Sequence, residues 1–261
     1  MSEKISKLLE DTDNYFEKER RKVEQQVSRQ ISLHDAAISS LNNGKLIEAI
    51  EYLLQAVEPT DAVNQYNWGA LYYNGIGVPQ NYESAFEWFE AAHRQGYANA
   101  TVALGNMYML GQYVSMDLNY AFELFKEAAE NGDIQAQRAV GVMLLKGEGV
   151  DRNPKLGYRW MERAAINGDA QAQGNLGSML FEGNGVEQNS ERGFYWMEKA
   201  AKRGDAQAQR NLGIRLLEGD GVTKNTELGY QWIEKAANNG NEECIQMIQD
   251  RKKNQEATGD R

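Results

Sequence analysis

Asp169 to Gly204 reads DAQAQGNLGSMLFEGNGVEQNSERGFYWMEKAAKRG. Ala172, Leu176, Met179 and Leu180 fall at i, i+4, i+7 and i+8, the stripe of a helix with one buried face. Asp169 follows Gly168 and stands where an N-cap is wanted, so glycine ends one helix and aspartate starts the next. Gly183-Asn184-Gly185-Val186 then turns the chain, because positive φ is cheap only for glycine. A second helix opens at Asn189. In it Phe194, Trp196 and Met197 supply bulk, Ala200 and Ala201 a flat surface, and Gly204 the end.

The same text recurs. Gly69, Gly105, Gly141, Gly177 and Gly213 stand 36 residues apart, in the strings WGALYYNGIGV, LGNMYMLGQYV, VGVMLLKGEGV, LGSMLFEGNGV and LGIRLLEGDGV. Each runs on to a bulky residue (Trp88, Leu124, Trp160, Trp196, Trp232), an alanine (Ala92, Ala128, Ala164, Ala200, Ala236) and a glycine (Gly96, Gly132, Gly168, Gly204, Gly240). A period of this length means a stack of supersecondary units, each burying its apolar face on its neighbours. Asn81, Asp117, Asn153 and Asn225 match Asn189 as N-caps, and Pro154 takes the first helical position after Asn153. The glycine within each first helix costs about 1 kcal/mol relative to alanine. Its recurrence predicts that a helix backbone or a Trp ring passes too close for a methyl group.

This pattern closely resembles the Sel-1-like repeat family, relatives of the tetratricopeptide repeats. Ala136, Val140-Gly141, Gly147-Glu148-Gly149-Val150, Trp160, Ala164-Ala165 and Gly168 stand in the family's places, and the resemblance covers about residues 62–244. It implies an all-α fold, a right-handed α-solenoid of antiparallel helix pairs with a 36-residue period. The departures are local: Gly111-Gln112-Tyr113-Val114 replaces Gly-x-Gly-Val, Leu124 replaces Trp, and His93 replaces the second Ala. Cys244 takes the place of Ala136, Ala172 and Ala208, and Gln249 falls where the next glycine belongs. The array is therefore expected to end there, with 245–261 as a capping helix and frayed tail.

Ahead of the array, residues 31–61 read as a degenerate helix pair that caps the stack. Leu33, Ala37 and Leu41 lie on one helix, Asn42-Asn43-Gly44 at the turn, and Leu46, Ile50, Leu53 and Leu54 on the next. Residues 1–30 form a charged N-terminal helix, with Leu9, Phe16 and Val23 at seven-residue intervals. That spacing admits a helix lying along the first units or, alternatively, self-association through a coiled-coil seam at residues 2–30; three marks are too few to specify the seam.

Of 261 residues 41% are hydrophobic, with no run approaching a membrane span and no basic-then-apolar leader at MSEKISKLLEDTDNYF, so a cytoplasmic protein is expected. A single Cys agrees with a reducing compartment. The net charge of −10 excludes a nucleic-acid backbone as partner, since phosphates need a basic stripe. Residues 31–140 carry thirteen acids against four bases, so a basic partner is one reading of that stretch and a solvated skin the other.

Few groups here can carry chemistry. His34 and His93 are the only histidines, neither beside a Ser or Cys pattern, and neither CxxC nor HExxH occurs; no metal, cofactor or enzymatic activity is expected. Some members of the resembled family are linked to β-lactam recognition, but those carry paired cysteines that this chain lacks. The Gly-x-Gly turns lack the strand and the Lys-Ser/Thr of a P-loop.

What remains is binding. A solenoid presents a concave surface built from its first helices, and columns that vary from unit to unit point to it. Tyr66, Val102, Arg138, Gly174 and Arg210 form one column, and Ala70, Asn106, Val142, Ser178 and Ile214 a second. Tyr73, Met109, Leu145, Phe181 and Leu217 form a third, which is apolar and reads equally as packing against a neighbouring helix. The candidate partner-binding residues are Tyr66, Ala70, Tyr73, Asn106, Met109, Arg138, Val142, Lys146, Ser178, Phe181, Arg210 and Leu217, rimmed by Asn74, Glu182 and Glu218. The expected function is a non-enzymatic adaptor or scaffold that binds a protein or peptide. The alternative is an immunity or inhibitor protein that neutralises a bacterial toxin.

Overall fold

Most of the described helices start on a side chain that replaces a missing backbone partner. In a computed structural model that describes residues 61–258 (backbone alone from 254), Asp133, Asp169 and Asp205 accept the N–H of Ala136, Ala172 and Ala208 at 2.7, 2.6 and 2.7 Å. Asn81, Asp117, Asn153, Asn189 and Asn225 do the same for the second helices, at 2.9 to 3.1 Å. Such caps are worth about 1 kcal/mol each. Left-handed Gly75, Gly147, Gly183 and Gly219 end the first helices. Before residue 61, Arg21, Gln25, Ser32, Ala36 and Ser39 are described, each helical. The N-terminal helix expected at 1–30, the helix-pair cap at 31–61 and His34 otherwise lie outside the described residues.

Among the described residues every regular element is helical: α1 (Ala62–Asn74), α2 (Tyr82–His93), α3 (Ala98–Leu110), α4 (Leu118–Glu130), α5 (Ile134–Lys146), α6 (Pro154–Ile166), α7 (Ala170–Glu182), α8 (Ser190–Lys202), α9 (Ala206–Glu218), α10 (Thr226–Asn238) and α11 (Glu242–Thr258). Odd-numbered α1 to α9 are the first helices of five successive repeats, and the even-numbered ones are the second. The last helix begins at Glu242, ahead of the 245 expected, because Asn241 caps it by accepting the Cys244 N–H at 3.0 Å. It therefore enters in register, as the first helix of a sixth unit would.

The chain divides into two compact units, Met1–Ala100 and Thr101–Arg261. In the first, α1 packs on α2 through aromatic rings: Trp68 meets Trp88 at 4.8 Å, and Tyr66 meets Phe89 at 5.6 Å and Tyr97 at 5.3 Å between centroids. A methyl group on Gly69 would stand 2.5 Å from the Phe89 ring, so glycine is what lets the ring in.

In the second unit the cores lie between repeats. Ala121, Phe125 and Ala128 of α4 are buried with Ala136, Val140 and Leu144 of α5. Met161 and Ala164 of α6 are buried with Ala172, Leu176 and Leu180 of α7, and Met197 and Ala200 of α8 with Ala208, Leu212 and Leu216 of α9. No repeat closes a core alone, which is why the period continues. Within a repeat, α7 crosses α8 at two facing glycines: a methyl on Gly177 would lie 2.9 Å from the Met197 amide nitrogen and 3.0 Å from the Gly193 carbonyl oxygen. Between repeats, a side chain on Gly185 would overlap the Pro154 carbonyl, so the turn of one repeat rests on the start of the preceding second helix.

A polar ladder threads these apolar cores. Gln137, Gln173 and Gln209 are buried, and their side-chain amides donate to the carbonyls of Ala129, Ala165 and Ala201 at 3.3, 2.9 and 2.9 Å. Asn167 then donates to the Gln137 oxygen at 3.2 Å and Asn239 to the Gln209 oxygen at 2.9 Å. The equivalent of those asparagines beside Gln173 is Arg203, whose guanidinium turns to the Gly168 carbonyl, and the Gln173 oxygen stays buried without a partner.

Candidate protein-binding face

Packing each first helix between two second helices leaves it one open stripe. On α7 that stripe is Gln171, Asn175, Ser178 and Glu182; on α9 it is Gln207, Asn211, Ile214 and Glu218; on α5 it is Gln135, Ala139, Val142 and Lys146. Ala70, Asn106, Val142 and Ser178, the second column of the sequence reading, are half-buried, and Lys146 is exposed. Tyr66 belongs to the aromatic packing of the first unit.

The apolar third column is packing. Phe181 is only 4% exposed and is withdrawn from the candidate surface: it lies over Gly193, where a methyl would come within 3.0 Å of its ring, and under the Arg215 guanidinium at 4.0 Å. Leu217 covers Gly229 and Leu145 covers Gly157 in the same way. Met109 packs on the core between α4 and α5, and the Tyr73 ring stands 5.4 Å from Tyr82. The physical reason is the glycine column at 157, 193 and 229, which leaves a slot on the second helix for the large residue opposite.

Two arginines of the first column clamp successive repeats together. Arg138 Nε donates to Asp169 Oδ2 at 3.2 Å, while Asp169 Oδ1 caps α7. Arg210 pairs with Glu243 at the start of α11. Gly174 occupies the same column and has no arm to send, and there a depression of about 200 Å³ opens, lined by Gln171, Gly174, Asn175, Ser178, Asp205, Gln207, Ala208 and Asn211. Its walls are amides, a hydroxyl and a carboxylate, a set that pairs with peptide groups. Sequence reasoning missed Gln171, Asn175, Gln207 and Asn211. Their signal was available, as polar residues one and two helical turns before the second column.

The Sel1 repeat pattern matches five times, at residues 65–97, 98–133, 134–169, 170–205 and 206–241, which is most of the chain. The chain belongs to the Sel1 repeat family. A Sel1 repeat protein from Oxalobacter formigenes has a similar structure, with a TM-score of 0.69 at 28% identity, covering 82% of this chain and 88% of that one. So does c5321, a protective antigen present in uropathogenic Escherichia coli strains, with a TM-score of 0.68 at 27% identity, covering 86% of this chain and 49% of that one; this chain thus spans about half of its length. Immunity protein PA5088 from Pseudomonas aeruginosa shares the fold, with a TM-score of 0.51 at 18% identity, covering 72% of this chain and 68% of that one. No curated protein matches the sequence. Sel1 repeat proteins are in general protein-interaction modules.

Reactive groups in this Sel1 repeat protein are placed for packing. Cys244 is fully buried against Ile233 and Ala236, and burial pushes its thiol above the ordinary 9.0. Tyr158 is likewise raised, by burial first and then by its 2.8 Å hydrogen bond to Glu162. His93 is half-buried in the last turn of α2. Among the described residues no cluster of His, Cys, Asp or Glu is placed to hold a metal ion, and no helix is long and apolar enough to cross a membrane.

Proposed function

We propose that this chain is a non-enzymatic adaptor that holds another protein along the open stripe of its first helices, in the cytosol. The observation that carries this reading is the depression at Gly174. Arg138 and Arg210 fill the equivalent gaps with a clamp to the next repeat, whereas Gly174 leaves amide groups of α7 and α9 open between two repeats. A partner strand or loop seated there exchanges water for Asn175, Ser178 and Asn211. A polar trough is satisfied by peptide N–H and C=O groups as well as by solvent.

The test is Gly174→Arg. A side chain at this position starts in ordinary van der Waals contact, its Cβ 3.4 Å from that of Ala208 and 3.8 Å both from that of Ala200 and from an Asp205 carboxylate oxygen, with no clash. The new arginine therefore reaches the N-cap of the next repeat as Arg138 does, and it gains about 1 kcal/mol in helix propensity over glycine. The expected outcome is a higher melting temperature together with loss of the proteins that the wild-type chain retains from its native cell extract. Retention of the same proteins by the variant refutes the site. Affinity and stoichiometry of the captured protein separate the general reading from the narrower one of toxin immunity, for which the likeness to PA5088 supplies fold alone. One partner held one-to-one very tightly supports immunity, and several weaker ones support an adaptor.

A further inference from the structure

The turn of the second repeat departs from its four sisters at three positions, always toward a large apolar side chain. Leu110 stands where the others have Asn74, Lys146, Glu182 and Glu218; Tyr113 where they have Gly77, Gly149, Gly185 and Gly221; Met116 where they have Gln80, Arg152, Gln188 and Lys224. Leu110 is 57% exposed, Tyr113 53% and Met116 66%, and Tyr120 adds a fourth exposed ring, edge-on to Tyr108 at 4.7 Å.

Met116 gives up a bond that its sisters make, and Tyr113 takes a backbone conformation that its sisters leave to glycine. Gln80, Arg152 and Gln188 each donate to the carbonyl seven residues back, at 2.8, 2.9 and 2.7 Å, a bond that a thioether cannot make. Tyr113 holds φ at 65°, among the described residues the one non-glycine residue with positive φ, at a cost of about 1–2 kcal/mol. The turn is nevertheless closed, with the Gln112 and Asp117 amides donating to the carbonyls of Met107 and Tyr108 at 3.0 Å. A hydrogen-bonded, strained turn that exposes three large apolar side chains within seven residues marks a contact surface.

Charge says what fits it. Residues 98–133 carry five acids and one base, whereas the three following repeats together carry thirteen acids and fourteen bases. Asp117 borders Met116, and Tyr120, Glu123 and Glu127 follow one another along the exposed side of α4. We propose that the apolar turn at Leu110, Tyr113 and Met116 docks a polypeptide segment whose apolar side chains are flanked by lysine or arginine. The proposal rests on the reading of the chain as a protein-binding module, but it uses a different face from the Gly174 depression. Burial of the apolar groups holds the segment, and the carboxylates steer it and set its polarity.

A triple variant, Leu110→Asn, Tyr113→Gly and Met116→Gln, restores what the sister repeats carry, leaves the net charge unchanged and removes the backbone strain, so it folds. The probe is a fluorescein-labelled peptide of about 14 residues, four helical turns, with leucine along one face and lysine elsewhere; a counterpart with glutamate for lysine is the control. The full-length chain is expected to bind the lysine peptide and not the glutamate one. The triple variant weakens binding by roughly tenfold or more, and Glu123→Gln with Glu127→Gln flattens its salt dependence. Equal binding by the triple variant, equal binding of the glutamate peptide, or no binding by the wild type overturns the proposal. Concentration-dependent dimerisation that the triple variant abolishes also overturns it, since the occupant is then a second copy. Loss of the peptide on Gly174→Arg moves the peptide to the first-helix face, which sinks this proposal and leaves the proposed function standing.

Discussion

Replacing Gly177 with alanine adds one methyl group at the point where α7 crosses α8. That methyl would stand 2.9 Å from the Met197 amide nitrogen, 3.0 Å from the Gly193 carbonyl oxygen and 3.1 Å from the Met197 Cβ. Ordinary contacts begin near 3.4 Å, so the helices must part by about half an ångström, and backbone atoms cannot swing aside as a side-chain end does. Overpacking of this kind costs about 1–3 kcal/mol, against which alanine returns about 1 kcal/mol of helix propensity. Because the obstructing atoms are mainly backbone, the cost lies toward the upper end of that range, and the expected net loss is about 1–2 kcal/mol. Gly141→Ala is the control within the same chain, because its methyl meets the mobile end of Met161 at 3.1 Å and backbone only at 3.3 Å. There the propensity gain offsets most of the strain. Urea unfolding followed by circular dichroism measures both. Should Gly177→Ala match the wild type, or Gly141→Ala lose more, the close-crossing account of these glycines is wrong.

Three further outcomes follow from single contacts. Arg203→Asn supplies the Gln173 oxygen with the donor that Asn167 and Asn239 give its neighbours, so urea unfolding should show a gain of about 1 kcal/mol. Tyr113→Gly relieves a left-handed tyrosine, and thermal unfolding should show a gain of about 1 kcal/mol once glycine's own entropy is charged against it. Cys244 holds its proton in the folded chain above the 9.0 at which the unfolded thiol ionises. The unfolded state therefore binds fewer protons there, and the stability present below that pH declines as pH rises through it. Cys244→Ala, the residue that Ala136, Ala172 and Ala208 carry at this place, should make unfolding midpoints less sensitive to alkaline pH.

Helix pairs, caps and turns were legible because each depends on residues close in sequence and because five copies repeat the message. Asp169 and Asn189 cap where the pattern placed them, and the close approach inferred at Gly177 is a backbone crossing. The altered turn at Gly111-Gln112-Tyr113-Val114 keeps the shape of its sisters, with Tyr113 adopting the glycine-like φ. The partition of the first-helix surface was not legible. Phe181 reads as a large residue on a variable face, and its burial depends on Gly193 across the turn. Gln173 stands in no apolar column of the repeat, and its burial depends on the Ala165 carbonyl of the preceding repeat. Arg138 reads as a partner contact until Asp169, the cap of the next repeat, is found to hold it. Each of these concerns a pairing between elements, which period alone does not encode.

The same pairings explain how a repetitive scaffold acquires a particular site. A residue held on both sides, such as Gln137 or Gln209 between two second helices, cannot be replaced by an apolar one without orphaning a buried carbonyl. The column of Arg138, Gly174 and Arg210 is held on one side only, through a surface-edge ion pair of the kind worth about 1 kcal/mol or less. Losing that clamp at Gly174 is therefore a small thermodynamic step, while the α6–α7 and α8–α9 cores continue to fix the backbone on either side. The proposed partner would meet there a gap that is already open in the folded chain, which keeps the ordering cost of binding low. Specificity in such a stack can be written one column at a time, at positions where a side chain ties neighbouring first helices together and its absence separates two polar walls.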